Sequence, residues 1–160
     1  MTSKVIQAPF HAWREDTSVF LAGSIDMGTA INWQPKVIEA IEDRAKCNVT
    51  VYNPRRDDWD SNWKQTKSDP KFKEQVRWEL QKMDDAGFIF MYISGESKAP
   101  ISLLEFGRIH AKYPNKLIIC VEPEFYRRGN IEVMCEHSNI PLFDNLEEAI
   151  ERLLYLLPQW

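Results

Sequence analysis

The sequence predicts an α/β protein built on a parallel sheet with helices on both faces. Three observations carry this. Short unbroken apolar runs, among them Phe88-Ile-Phe-Met-Tyr-Ile93 and Leu117-Ile-Ile-Cys-Val121, read as strands buried on both sides. The segments between such runs repeat their apolar residues at helical spacing. Strand and helix alternate along the chain, the order that crossover connections of a parallel sheet require. The 160 residues read as one domain over 1–160 with residues 1–17 as an N-terminal arm, and the sheet is expected to be mostly parallel and five-stranded.

Each element has its own signal. Residues 19–22, Val-Phe-Leu-Ala, form a short buried strand that stops at the turn pair Gly23-Ser24. Residues 34–46 form a helix, with Pro35 in the first turn and Val37, Ile38, Ala40, Ile41 and Ala45 on one face. Residues 49–52 are the second strand, stopped by Asn53-Pro54. The polar stretch 55–69, with Trp59 and Trp63, reads as a loop of a length that is often functional inside a compact domain. Asp69 then supplies an N-cap and Pro70 a first helical position. Phe72, Val76, Leu80 and Met83 mark the apolar face of that second helix. Residues 88–93 are the third strand, and Pro100 fits the first turn of a third helix that runs over 101–112 to Tyr113-Pro114. Residues 116–121 are the fourth strand. Residues 126–137 are helical in part, interrupted in propensity by Gly129-Asn130. Residues 140–143 are a short fifth strand, and 144–156 a closing helix with Leu146, Ala149, Ile150, Leu153 and Leu157 apolar.

Composition excludes several classes. The net charge of −4, with no strongly basic half, argues against a nucleic-acid polymer as partner. No segment approaches the roughly 20 apolar residues of a membrane span, and Met1 to Thr17 lacks the apolar core of a signal peptide. A cytoplasmic protein is expected. Cys47, Cys120 and Cys135 are odd in number and lack a Cys-x-x-Cys pair, and Cys135-x-His137 is a poor ligand set, so no metal is expected. Gly23-Ser-Ile-Asp-Met-Gly28 lacks the dinucleotide spacing, and there is no P-loop.

Ligands of parallel sheets bind beyond the carboxyl ends of the strands. Three segments fall there: 23–33, 53–63 and 94–105. Glu105 lies about one turn into the third helix, near its electropositive start, where a carboxylate can stay ionised and face a ligand. It reads either as a nucleophile or base, or as a surface partner of Arg108 at i+3. Gly23-Ser24 is either a plain turn or a ligand loop. Arg55 and Arg56 can clamp a phosphate or carboxylate, unless Asp57, Asp58 and Asp60 neutralise them. Glu79 lies beside apolar Leu80, and Asp84-Asp85 closes the second helix where the dipole disfavours anions. Trp33, Trp59 and Trp63 stand in or near the candidate loops, where an indole either stacks on a base or serves as core.

Taken together, Phe20-Leu-Ala-Gly-Ser-Ile25, Trp33-Gln34, Asn53-Pro-Arg-Arg56, Pro100-Ile-Ser-Leu-Leu-Glu-Phe-Gly107 and Arg127-Arg-Gly-Asn-Ile131 resemble the nucleoside 2-deoxyribosyltransferase family, in its branch with an Asn-Pro-Arg-Arg strand end. The resemblance spans about 19–134 and implies a flavodoxin-like, Rossmann-like three-layer sandwich. It also implies cleavage of the N-glycosidic bond of a 2′-deoxynucleoside. Glu105 would attack the anomeric carbon, with Phe106 in place of the usual leucine, and Glu79, or else Asp85, would protonate the base. Gly23, Ser24, Ile25, Trp33, Asn53, Arg55, Arg56 and Ser102 would contact the substrate, and Asn130 of a neighbouring subunit would hold the sugar. The implied partners are a deoxynucleoside, a free nucleobase and further copies of the chain in a homo-oligomer. Ala86-Gly87 and Ala99 depart from the family pattern and leave the contacts to the 5′ side of the sugar open.

The implied chemistry is that of a retaining glycosidase, in which a carboxylate traps an oxocarbenium-like sugar and a second acceptor releases it, and it needs no metal or organic cofactor. A second base as acceptor makes a transferase. Water as acceptor, with a 5′-phosphate held, makes a deoxynucleotide N-glycoside hydrolase. A third expectation is a nucleotide-binding module without turnover.

Overall fold

The structure is a computed structural model that describes residues 3–12, 17–25 and 32–159. Residues 26–31 of the first candidate loop, Gly28 included, lie outside the described residues, as do 1–2 and 13–16 of the expected arm. The elements are β1 (Lys4–Gln7), β2 (Thr17–Gly23), α1 (Gln34–Arg44), β3 (Val49–Asn53), α2 (Pro70–Asp85), β4 (Phe88–Ile93), α3 (Pro100–Lys112), β5 (Leu117–Val121), α4 (Arg128–His137), β6 (Leu142–Phe143) and α5 (Leu146–Leu156).

The sheet has six strands in the order β1-β3-β2-β4-β5-β6. All its described pairings are parallel. Without β1 this is the flavodoxin-like order, and β2 and β4 flank the point where the chain reverses its direction of winding. The sixth strand corrects the expected five. Lys4–Gln7, assigned to the arm, pairs with Thr50–Asn53 at the outer edge. A mixed polar and apolar tetrapeptide carries little strand signal of its own, so the free edge of β3 decides its structure.

The two-residue period of the strands builds the layers. Phe20, Ala22, Tyr52, Ile89, Met91, Ile93, Ile119 and Val121 face α2, α3 and α4, which contribute Trp78, Met83, Phe106, Ile109, Ile131 and Cys135. Val19, Leu21, Val49, Val51, Phe90, Tyr92, Ile118 and Cys120 face α1 and α5, which contribute Val37, Ile41, Ala149, Ile150 and Leu153. Each Val, Leu, Ile, Phe or Met side chain among these, taken out of water, contributes on the order of 1.5–3 kcal/mol.

Two helix starts follow the sequence rules. The Asp69 carboxylate accepts from the backbone N–H groups of Lys71 and Phe72, and Pro70 occupies the first helical position. Pro100 opens α3 in the same way, preceded by Ala99 in the left-handed region at φ 43°. The face of α2 differs from expectation. Its buried residues are Gln75, Trp78, Lys82 and Met83, and Leu80 is exposed. Trp78 packs against Phe20 and Tyr52 and its indole N–H reaches the Phe10 carbonyl. One large indole outweighs Leu80 and rotates the helix so that polar side chains at 75, 79 and 82 come inward with it.

Candidate active site

Glu105 lies in the second turn of α3 and Glu79 in the middle of α2, two helices that share one layer over the sheet. The two carboxyl groups are close enough to act on each other. Burial, and secondarily the charge of Glu79, push the Glu105 carboxyl up to about 8. Burial also raises Glu79, against a hydrogen bond from Gln75 that favours its ionised form. The surface ion pair with Arg108 is not formed. That guanidinium bonds Asp84 at 2.7 Å instead. The expectation of a readily ionised Glu105 is therefore corrected. A helix dipole acts mainly within the first turn, and desolvation dominates one turn further in.

The crevice ends of β2 and β4 are stitched together by Gly23-Ser24. Gly23 has φ +133°, and a Cβ there would lie 1.9 Å from the Tyr92 carbonyl oxygen. Only glycine fits, and packing against β4 is the reason. The Ser24 N–H donates to that same carbonyl at 2.9 Å, and its hydroxyl oxygen accepts from the Ser94 N–H at 3.2 Å. The Ser24 carbonyl accepts from the Trp33 indole N–H at 2.9 Å. Ile25 follows, half-buried. Glu122, at the end of β5, holds the next segment: one carboxylate oxygen accepts from the Tyr92 hydroxyl and the other from the Gly95 N–H. These bonds lead the chain from β4 to α3, on whose first turn Ser102 is buried.

The remaining candidates divide. Arg55 donates to Asn32 Oδ1 at 2.9 Å and its carbonyl accepts from the Gln7 amide, which ties the end of β3 to both neighbouring segments. Asn53 spends its side-chain oxygen on the Arg55 N–H. Trp33 is fully buried against Phe90 and Tyr92. It supports the Ser24 loop from below, and no face of it is open to a base. Arg56 is likewise buried and committed: it forks onto Asp58, reaches Glu74 at 3.1 Å and lies over Trp63. Its neutralisation by neighbouring carboxylates, the alternative reading of Arg-Arg, is what forms. Asp85 is exposed at the last residue of α2, beside the start of β4 and so at the sheet edge opposite the crevice. The structure does not bring it to Glu105. Asp84 clamps α3 through Arg108 and Tyr113. Asn130 is exposed in the first turn of α4.

Sequence reasoning missed Gln75. It is buried four residues before Glu79 and donates to Glu79 Oε1 at 2.7 Å and to the Pro54 carbonyl at 2.9 Å. Its own carbonyl oxygen is buried without a partner, a cost of about 1–3 kcal/mol. The i, i+4 spacing from Glu79 was the available signal. Among the described residues no group of acidic, histidine and cysteine side chains could hold a metal ion, and no helix is long and apolar enough to cross a membrane.

A layered α/β frame with two coupled, partly desolvated carboxyl groups on adjacent helices is suited to acid and nucleophile roles at one carbon centre. The family model described as nucleoside 2-deoxyribosyltransferase like matches residues 16–125. The chain belongs to the nucleoside 2-deoxyribosyltransferase-like family. The match includes both Glu79 and Glu105, and ends before α4 and Asn130. No curated protein matches the chain. Within this family frame, α2 and α3 bring the two glutamates within electrostatic reach of each other.

Proposed function

We propose that this protein is a nucleoside 2-deoxyribosyltransferase working through a covalent glutamyl-deoxyribose. The observation that carries the reading is the pair Glu79 and Glu105: burial raises both, the charge of Glu79 raises Glu105 further, and no cation is bonded to either carboxyl among the described residues. Glu105 is the nucleophile. The two neighbouring carboxyls share one proton, and the positive charge that grows on the sugar as the C1′–N bond lengthens draws the negative charge to Glu105 and leaves that proton on Glu79. Glu79 gives its proton to the departing base, which makes a poor leaving group a good one. The sugar is held as an ester on Glu105 until a second base attacks the opposite face, and two inversions give net retention. Gly23, Ser24, Ile25, Arg55 and Ser102 line the approach to the sugar and base. Trp33, Asn53 and Arg56 serve from behind by holding those segments.

The site is completed by a second copy of the chain. Ile101 and Leu104 on α3, Val133 on α4 and Tyr126 just before it are exposed large apolar side chains on neighbouring helices of one layer. They support a self-association face, beside which Asn130 of one copy reaches the sugar held by the other.

Incubation with 2′-deoxyinosine and free adenine or cytosine, followed by chromatography, tests the reaction. A new deoxynucleoside is expected, and Glu105→Ala abolishes its formation in a folded protein. Free deoxyribose alone would make the protein a hydrolase. Equal rates for Glu105→Ala and the parent would remove Glu105 from the mechanism.

A further inference from the structure

The side chain of Gln75 has one orientation available to it. Its amide contacts the Pro54 carbonyl at 2.9 Å, and a carbonyl only accepts, so the amide nitrogen must face it. The same nitrogen contacts Glu79 Oε1 at 2.7 Å. Both amide hydrogens are then spent, one on the end of β3 and one on α2. The amide oxygen is left buried with no partner. An apolar side chain of the same volume would avoid that orphaned oxygen, so it is the two N–H groups that give this amide its use.

We infer that Gln75 is a positioning residue that assigns the acid proton of Glu79 to Oε2. This rests on the role of Glu79 proposed above. When Glu79 is the neutral acid of that role, the oxygen that accepts the Gln75 N–H at 2.7 Å is its carbonyl oxygen, because the hydroxyl oxygen is the poorer acceptor. The proton therefore sits on Oε2, the oxygen that Gln75 leaves free for the base. In the first half-reaction the C1′–N bond breaks and its electron pair stays on the base nitrogen. The bond from Glu79 Oε2 to hydrogen breaks and an N–H bond forms. A Glu105 oxygen closes a new bond to C1′. Glu79 ends as a carboxylate, and the Gln75 N–H, now donating to a charged acceptor, strengthens. In the second half-reaction the incoming base returns a proton to the same oxygen. The chain of contacts from Pro54 through Gln75 to Glu79 thus lets the backbone at the end of β3 decide which oxygen is the acid.

The test compares two leaving groups. Hypoxanthine leaving from 2′-deoxyinosine needs a proton, whereas 4-nitrophenolate leaving from 4-nitrophenyl 2-deoxyribofuranoside does not. Gln75→Met keeps the length of the side chain and removes both N–H groups. It is expected to lower kcat for 2′-deoxyinosine at least tenfold more than kcat for the nitrophenyl substrate, with KM for the two moving alike. A loss by the same factor on both substrates, or no loss on either, overturns the inference, since a structural role makes no distinction between leaving groups. Gln75→Leu carries the same comparison should the methionine variant fail to give a native circular dichroism spectrum. A parent protein that cleaves neither substrate, or a Glu105→Ala variant that cleaves both at the parent rate, would instead overturn the catalytic reading on which this one stands.

Discussion

A carboxyl group that loses its water on folding moves toward its neutral form unless a cation replaces the solvent. Glu105 loses water and gains no cation, because Arg108 turns to Asp84, and Glu79 raises it further whenever it is ionised. Its pKa of about 8 lies above the ordinary value of 4.5. Between those two values the folded protein holds a proton that the unfolded chain has released. Folding stability from this group is therefore fully present below about pH 4.5 and is lost as pH rises toward 8, at up to about 1.4 kcal/mol per pH unit. Glu105→Gln, which cannot ionise, is expected to be more stable than the parent at pH 8. That advantage shrinks toward zero at pH 5, as read from urea midpoints at both values. A difference that does not change with pH would mean that Glu105 is solvated like a surface carboxylate. At this scale the residue types were legible in the sequence but their commitments were not. Arg56 and Trp33 look like ligand contacts in one dimension and are spent on Asp58, Glu74 and the Ser24 carbonyl in three.

Elements were read well where local rules set them. The Asp69-Pro70 start of α2, the Pro100 start of α3 and the apolar runs of β2, β4 and β5 each obey a rule confined to a few neighbouring residues. The inward face of α2 does not. Its apolar residues at 72, 76, 80 and 83 form a plausible stripe, yet the indole of Trp78 finds the space between Phe20 and Tyr52 and sets the rotation. That rotation brings Gln75 to the Pro54 carbonyl and Glu79 within electrostatic reach of Glu105 on α3. The turn at the end of β2 lies directly against the backbone of β4. Gly23→Ala must place a methyl group where the Tyr92 carbonyl lies, in a backbone conformation that alanine avoids. It is expected to cost at least about 2 kcal/mol, lowering the urea midpoint. An unchanged midpoint would show that the end of β2 can move away from β4 freely.

At the scale of the whole molecule, winding order places the site. The parallel sheet sends every described β-to-α connection to one edge, and the reversal between β2 and β4 opens the crevice there. Asp85 is excluded by this same rule, since the last residue of α2 is delivered to the opposite edge. The proposed second copy belongs to this scale too. Leu104→Glu puts a charge among the exposed apolar side chains proposed as the self-association face. It is expected to shift sedimentation velocity from the oligomer to the monomer and to lower base exchange with it. A parent that sediments as a monomer while fully active would leave Asn130 without a substrate to reach.

The sequence by itself determined the layered α/β class, the starts of α2 and α3 and the presence of Glu105 and Glu79. These depend on apolar period, capping and residue type, all of which act over a few positions along the chain. Tertiary structure alone decided that Lys4–Gln7 joins the sheet, that Trp78 rotates α2, that Arg108 leaves Glu105 for Asp84, and that Gln75 links Pro54 to Glu79. Each of these is a competition among partners distant in sequence. The outcome turns on which side chain loses the most water, or fills the most space, once the layers close.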